Sequence, residues 1–197
     1  MSIKRFVRPF VILLMAFGFS QVISAAQLVT PPIPGPSGMP TQSWFMASTN
    51  DLAKDLAEAN KQGKILAIVW EQRGCYYCKQ MHEVNFQDHE VVRYVRGRFV
   101  FVRRNIHGNR AVMDMDGRAA TEALLASKNR VTGTPTIQFL DRNGKEGFRT
   151  PGFAKPPLFL TVFEYVAEKA YESLTLRAYI VAKISEAKAK EEFKKTN

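Results

Sequence analysis

A chain of 197 residues, 46% of them hydrophobic, has room for one domain with extensions and a real core, and is short for two full domains. Its formal charge of +10 comes from Lys and Arg scattered among acids, with no basic stripe interleaved with aromatics. That pattern argues against a nucleic-acid binder and leaves solubility and attraction to acidic partners or anionic surfaces.

Residues 1–26 have the layout of a cleaved secretory signal. Lys4, Arg5 and Arg8 precede an apolar run from Phe10 to Phe19, and small residues Ser24, Ala25 and Ala26 follow, so cleavage is expected after Ala26. The run is shorter than the roughly 20 residues that cross a bilayer. Residues 27–47 include TPPIPGPSGMP, whose Pro and Gly predict an extended, poorly packed linker. A domain is expected over 48–172. Ser48, Thr49 and Asn50 are candidate caps for a helix that carries Leu52, Leu56 and Ala59 on one face and stops at Gly63. ILAIVW (65–70) is a continuous apolar run, as expected of a central strand covered on both faces.

A helix is predicted from Cys75 to about Glu83, and a second, capped by Asp88, should carry Val91, Val92 and Val95 and end near Gly97. FVFV (99–102) reads as a buried strand, and residues 105–117 as an inserted loop. A helix over 121–128, a strand over 136–140, a DRNG turn and a last strand near 145–148 follow. Pro156 and Pro157 open a helix with the stripe Phe159, Val162, Phe163, Val166 and Ala170. Residues 173–197 should form a helical extension, solvated and frayed from Ser185 onward. The order of elements predicts a mixed central sheet flanked by helices, with an inserted loop and an extra C-terminal helix.

Two cysteines separated by two residues cannot staple distant elements, so Cys75 and Cys78 point to chemistry. A buried strand delivers Cys75 to a helix start, where unpaired N–H groups and the helix dipole favour a thiolate. Cys75 is therefore the expected nucleophile. Cys78, one turn deeper, is placed to resolve the mixed disulfide, and the two sulfurs should close an intramolecular disulfide on oxidation. Haem attachment needs His directly after the second cysteine, where this chain has Lys79. A closed zinc site needs four ligands, and only His82, His89 and His107 could join the cysteines. A copper or zinc carrier using Cys75, Cys78 and His82 is the alternative reading, against His82 as an ordinary surface or half-buried histidine. An adaptor with a vestigial fold is a third.

Farther along, Thr134-Pro135 directly precedes an apolar strand. Such a proline is ordinarily trans. Beside a strand-to-helix cysteine pair it is expected to be cis, with the Thr134 backbone offered to an extended partner segment.

Through ILAIVW, CYYC, Thr134-Pro135 and DRNGKE, the chain from about Ser48 to Glu172 resembles the thioredoxin superfamily. Through CYYCKQMHEVNF, NIHGNRAVMDMDG and PGFAKPPLF it is most similar to the periplasmic SoxW-like thioredoxins. The resemblance implies a thioredoxin-like fold, Cys75 attacking, Cys78 resolving, Pro135 cis and no cofactor. As partners it implies exported proteins with cysteines or disulfides, sulfur-oxidation proteins among them, with a membrane thiol reductase as electron donor. The sequence departs from the thioredoxin pattern at two places. Tyr76 and Tyr77 replace the usual Gly-Pro, and the position of the family's buried carboxylate, six residues before the first cysteine, holds Val69. Glu71 is the candidate substitute as proton acceptor, against the ordinary reading of a solvated carboxylate where a strand meets a loop.

Overall fold

The computed structural model describes residues 29–35 and 38–196; the segment read as a signal, with its cleavage site, lies outside them. At the centre is a four-stranded mixed sheet in the order β4-β3-β7-β8, made of β3 (Ile65–Glu71), β4 (Phe99–Asn105), β7 (Thr136–Leu140) and β8 (Glu146–Pro151). β3 and β4 run parallel, while β7 is antiparallel to both β3 and β8.

The apolar run in β3 is continuous because both faces of the sheet are covered. Ala67 and Val69 join one core with Met81, Phe86, Val91, Phe99, Phe101 and Phe163. This is the side of α2 (Tyr76–Glu83), α3 (His89–Arg98) and α5 (Pro156–Ala167). Leu66, Ile68 and Trp70 join the other core with Leu52, Leu56, Val100, Val102 and Leu125, on the side of α1 (Leu52–Lys61) and α4 (Glu122–Lys128). Period-two alternation assigns the polar ends of the strands as well. Glu71 follows Val69 toward α2, Arg103 follows Phe101 to the same face, and Arg104 follows Val102 toward α1. Arg104 there meets Asp55 at 3.0 Å, with both side chains fully buried.

Several expectations are corrected. The proline-rich segment is a tether only in part. β1 (Ile33–Pro34) and β2 (Pro40–Thr41) form a short hairpin, and Met39 and Gln42 are buried. Trp44 and Phe45 pack on the α2-side core, and the Met46 N–H donates to the Phe101 carbonyl at 2.8 Å. The apolar run Trp44, Phe45, Met46 and Ala47 outweighed the prolines before it.

α1 is capped by Asp51, whose side chain accepts from the Lys54 N–H. Ser48 and Thr49 instead turn onto Asp55. The insert is partly ordered as a hairpin: β5 (Ala111–Met113) pairs antiparallel with β6 (Ala119–Thr121). Gly97 lies inside α3, and β8 starts at Glu146 rather than at Lys145. α6 (Leu176–Thr196) is one continuous helix, with Tyr179 as its buried residue. Its solvated second half keeps helical backbone because Ala, Lys and Glu are good helix formers. Among the described residues no helix is long and apolar enough to cross a membrane.

Candidate active site

β3 ends at Glu71, and the chain turns at once into α2. Gly74 has φ +75, in the left-handed region that glycine adopts without steric cost, and the Cys75 N–H closes the turn on the Gln72 carbonyl. Cys75 is the N-cap of α2, with extended backbone, and its Sγ accepts the Cys78 N–H at 3.0 Å. The sequence had placed Cys75 at this helix start, and the structure puts a first-turn backbone donor on its sulfur. Cys75 and Cys78 form a disulfide with the Cα atoms 5.3 Å apart. Cys75 is half-buried, whereas Cys78 is 3% exposed. Tyr76 and Tyr77, which separate them, point outward, 65% and 55% exposed.

The second predicted element comes to the same end of the sheet. The β3–β7 register pairs Trp70 with Thr136, so Pro135 stands level with Glu71, just before the cysteine turn. The Thr134–Pro135 peptide bond is cis. Pro135 is buried, and its carbonyl accepts the Gly152 N–H at 2.7 Å. The next residue, Phe153, stacks on Tyr77 with ring centroids 6.0 Å apart, tying the start of α2 to the Pro135 turn. From the insert, His107 reaches Gln72 at 3.0 Å. Neither the Tyr77–Phe153 stack nor the His107 contact was legible in the sequence, since each joins loops from distant parts of the chain.

Beneath the disulfide is a buried polar cluster. Glu71 is not solvated at the strand end; it is fully buried, and so is His82, which lies one helical turn beyond Cys78. The expectation of a surface or half-buried His82 is thereby corrected. His82 Nε2 lies 2.8 Å from Glu71 Oε1, and Nδ1 lies 3.3 Å from the side-chain amide nitrogen of Gln42. That amide nitrogen also donates to the His82 carbonyl at 3.0 Å. Arg103 Nε stands 3.8 Å from Glu71 Oε2. Burial draws the Arg103 guanidinium below its ordinary value, and the nearby Glu71 opposes that effect. His89 is exposed at the start of α3, away from this cluster. Among the described residues, no three His, Cys, Asp or Glu side chains are grouped as metal donors.

Glu71 and Val69 share a face of β3, so the acid sits one side-chain repeat nearer the cysteines than the position held by Val69, roughly 7 Å along the strand. Strand parity was the signal that could have shown Glu71 to be internal. The i, i+4 spacing of Cys78 and His82 was the signal that both face inward. No local signal pointed to Gln42.

The family model of the thioredoxin-like domain matches residues 52–167. The chain is similar to the thiol:disulfide interchange protein DsbD of Pseudoalteromonas atlantica, with 30% identity over 112 residues. That match covers 56% of this chain and only 17% of the length of that protein. Among solved structures, a thioredoxin-fold protein from Helicobacter pylori is similar with a TM-score of 0.57 and 23% identity, over 72% of this chain and 92% of that one. A thioredoxin from Thermus thermophilus is similar with a TM-score of 0.45 and 28% identity, over 57% of this chain and 81% of that one. The family match spans more than half of the sequence, on a mixed sheet whose first central strand feeds a cysteine pair into a helix start: this chain belongs to the thioredoxin-like domain family.

Proposed function

We propose that this protein is exported to the periplasm, where it reduces disulfides of partner proteins, with Cys75 attacking and Cys78 resolving. The observation that carries the division of labour is the asymmetry of the pair. Cys75 is the accessible sulfur at the helix start and receives the Cys78 N–H, a contact that stabilises a thiolate there. Cys78 is buried and acts once a mixed disulfide brings a target within its reach. Glu71 is the proton acceptor for Cys78. Thr134 and Pro135 receive the partner: sheet pairing begins at Thr136, which leaves the Thr134 backbone beyond the ladder for an extended segment beside Cys75.

Similarity to a thiol:disulfide interchange protein supports partners that carry cysteines or disulfides. A membrane thiol reductase as electron donor is what the sequence resemblance implies. Sulfur-oxidation proteins as partners rest on the sequence resemblance alone. Metal carriage through Cys75, Cys78 and His82 is not favoured, because both ring nitrogens of His82 are engaged, by Glu71 and by Gln42.

Single-cysteine variants expressed in an exporting host test the reading. Cys78→Ser should still attack partners but fail to release them, accumulating larger, reductant-sensitive complexes on a gel. Cys75→Ser should trap almost none. Equal trapping by both variants, or by neither, would overturn the assigned roles.

A further inference from the structure

We infer that His82 and Gln42 are positioning residues that hold the Glu71 carboxylate as the proton acceptor for Cys78; the inference rests on the roles assigned above to the two cysteines and Glu71. It starts from the hydrogen-bond inventory of the buried cluster. The His82 carbonyl can only accept, so the Gln42 amide must present its NH2 group there, and the same nitrogen faces His82 Nδ1. Nδ1 is therefore the acceptor nitrogen. A neutral imidazole with Nδ1 accepting carries its proton on Nε2, which donates to Glu71 Oε1 at 2.8 Å. Gln42 thus selects the tautomer, and the tautomer pins one carboxylate oxygen.

The other oxygen is left for chemistry. Glu71 Oε2 is buried and accepts no hydrogen bond among the described residues. Its charged neighbour, Arg103 Nε at 3.8 Å, lies beyond hydrogen-bond reach, and a buried acceptor without a hydrogen bond is costly unless it has a use. The charged or titratable groups set against Glu71 are His82 from α2 and Arg103 from β4, while Lys79 and Glu83 pair with each other on the outer side of α2. Cys78 belongs to the same inner face of α2 as His82, which sets their side chains about 5–6 Å apart at the Cβ atoms.

In the resolving step the Cys78 S–H proton passes to Glu71 Oε2, and the Cys78 thiolate attacks Cys75 Sγ of the mixed disulfide. The bond between Cys75 and the partner sulfur breaks, and the partner leaves as a thiolate that takes a proton from solvent. The dithiol is oxidised and the partner disulfide reduced.

The reduced protein mixed with an equimolar amount of 5,5′-dithiobis(2-nitrobenzoate) reads this step directly. One thionitrobenzoate is released when Cys75 attacks, and a second, in a unimolecular phase, when Cys78 resolves. Glu71→Gln should slow the second phase about 100-fold, and His82→Leu should slow it about 10-fold more than the first phase. Both should move its pH midpoint up toward that of an unassisted thiol, about 8.5. His82→Gln keeps a donor for Oε1 and should retain more of the rate than His82→Leu; the exposed-site control His89→Leu should match the parent in both phases. An unshifted pH profile in His82→Leu, or equal losses in His82→Gln and His82→Leu, would overturn the positioning role. A parent protein that releases a single thionitrobenzoate would overturn the cysteine roles themselves, a result distinct from a slow second phase.

Discussion

Removing the Asp55 carboxylate should bring the domain close to unfolding. Both oxygens of Asp55 are fully used: Oδ1 accepts the Thr49 N–H at 2.7 Å and the Thr49 hydroxyl at 2.8 Å, and Oδ2 accepts Ser48 Oγ and Arg104 Nη2. Arg104 is 1% exposed, and burial pulls its guanidinium below the ordinary value while Asp55 opposes that pull. Asp55→Ala therefore strands a buried cation, a loss of about 3–5 kcal/mol when one partner of such a pair is removed. It also deprives the Ser48 and Thr49 donors of their acceptor, about 1 kcal/mol together because water replaces part of each bond at these part-buried positions. A total of about 4–6 kcal/mol rivals the whole stability of a domain at the low end of the usual 5–15 kcal/mol. In urea, with a slope of about 2 kcal/mol per molar, the midpoint should fall by about 2–3 M. Asp55→Asn, which keeps an acceptor and drops the charge, should lie between Asp55→Ala and the parent. The double variant Asp55→Leu with Arg104→Met should recover most of the loss, since a packed apolar pair of similar volume replaces a buried ion pair at little cost. A midpoint shift below about 0.5 M in Asp55→Ala, or a double variant no better than the singles, would refute the account of Arg104 as a charge that depends on Asp55.

Trp44 presents its ring to Phe45, Phe86 and Phe101 at centroid distances of 4.9, 5.5 and 5.3 Å, so Trp44→Ala should cost about 2–3 kcal/mol in chemical denaturation, discounted for a half-buried side chain. An unchanged midpoint would return the segment to the status of a tether. Burial raises the Tyr179 phenol from 10.0 to about 12, with Lys183 opposing and Glu168 reinforcing. The undocked helix then loses this proton first, so the docking of α6 is at full strength below pH 10 and weakens as the pH rises through about 12. Amide exchange in α6 followed across that window should show the weakening, and Tyr179→Phe should lose it; equal protection at both ends would count against it.

What could be read from the residues is what depends on short-range spacing. ILAIVW specified a strand buried on both faces because six apolar side chains in succession leave neither face polar, and the stripe on α5 specified a docked helix. Cys75 at the helix start follows from the same local logic. The polar residues were harder, because their partners are far away in the chain. Asp55, which no spacing in α1 singles out, is the anchor for Ser48, Thr49 and Arg104, and that could be seen only once β4 was laid beside α1.

Glu71 is the instructive case. At the end of a strand, a carboxylate is ordinarily solvated, and that prior set its expected environment. Parity argues otherwise: a residue two positions beyond Val69 must face the same core, and α2 returns over that face with Cys78 and His82 one turn apart. Two periodicities, 2 for β3 and 3.6 for α2, put the acid on the Val69 face of the strand and the imidazole and resolving sulfur on one face of the helix, and the fold lays that helix over that strand face. They do not say which imidazole nitrogen carries the proton. That choice falls to Gln42, forty positions before His82 in the sequence, in a segment whose prolines disguised its packing. The ingredients of the site are written locally, but the protonation state that decides what they can do is imposed by a contact that exists only in the folded chain.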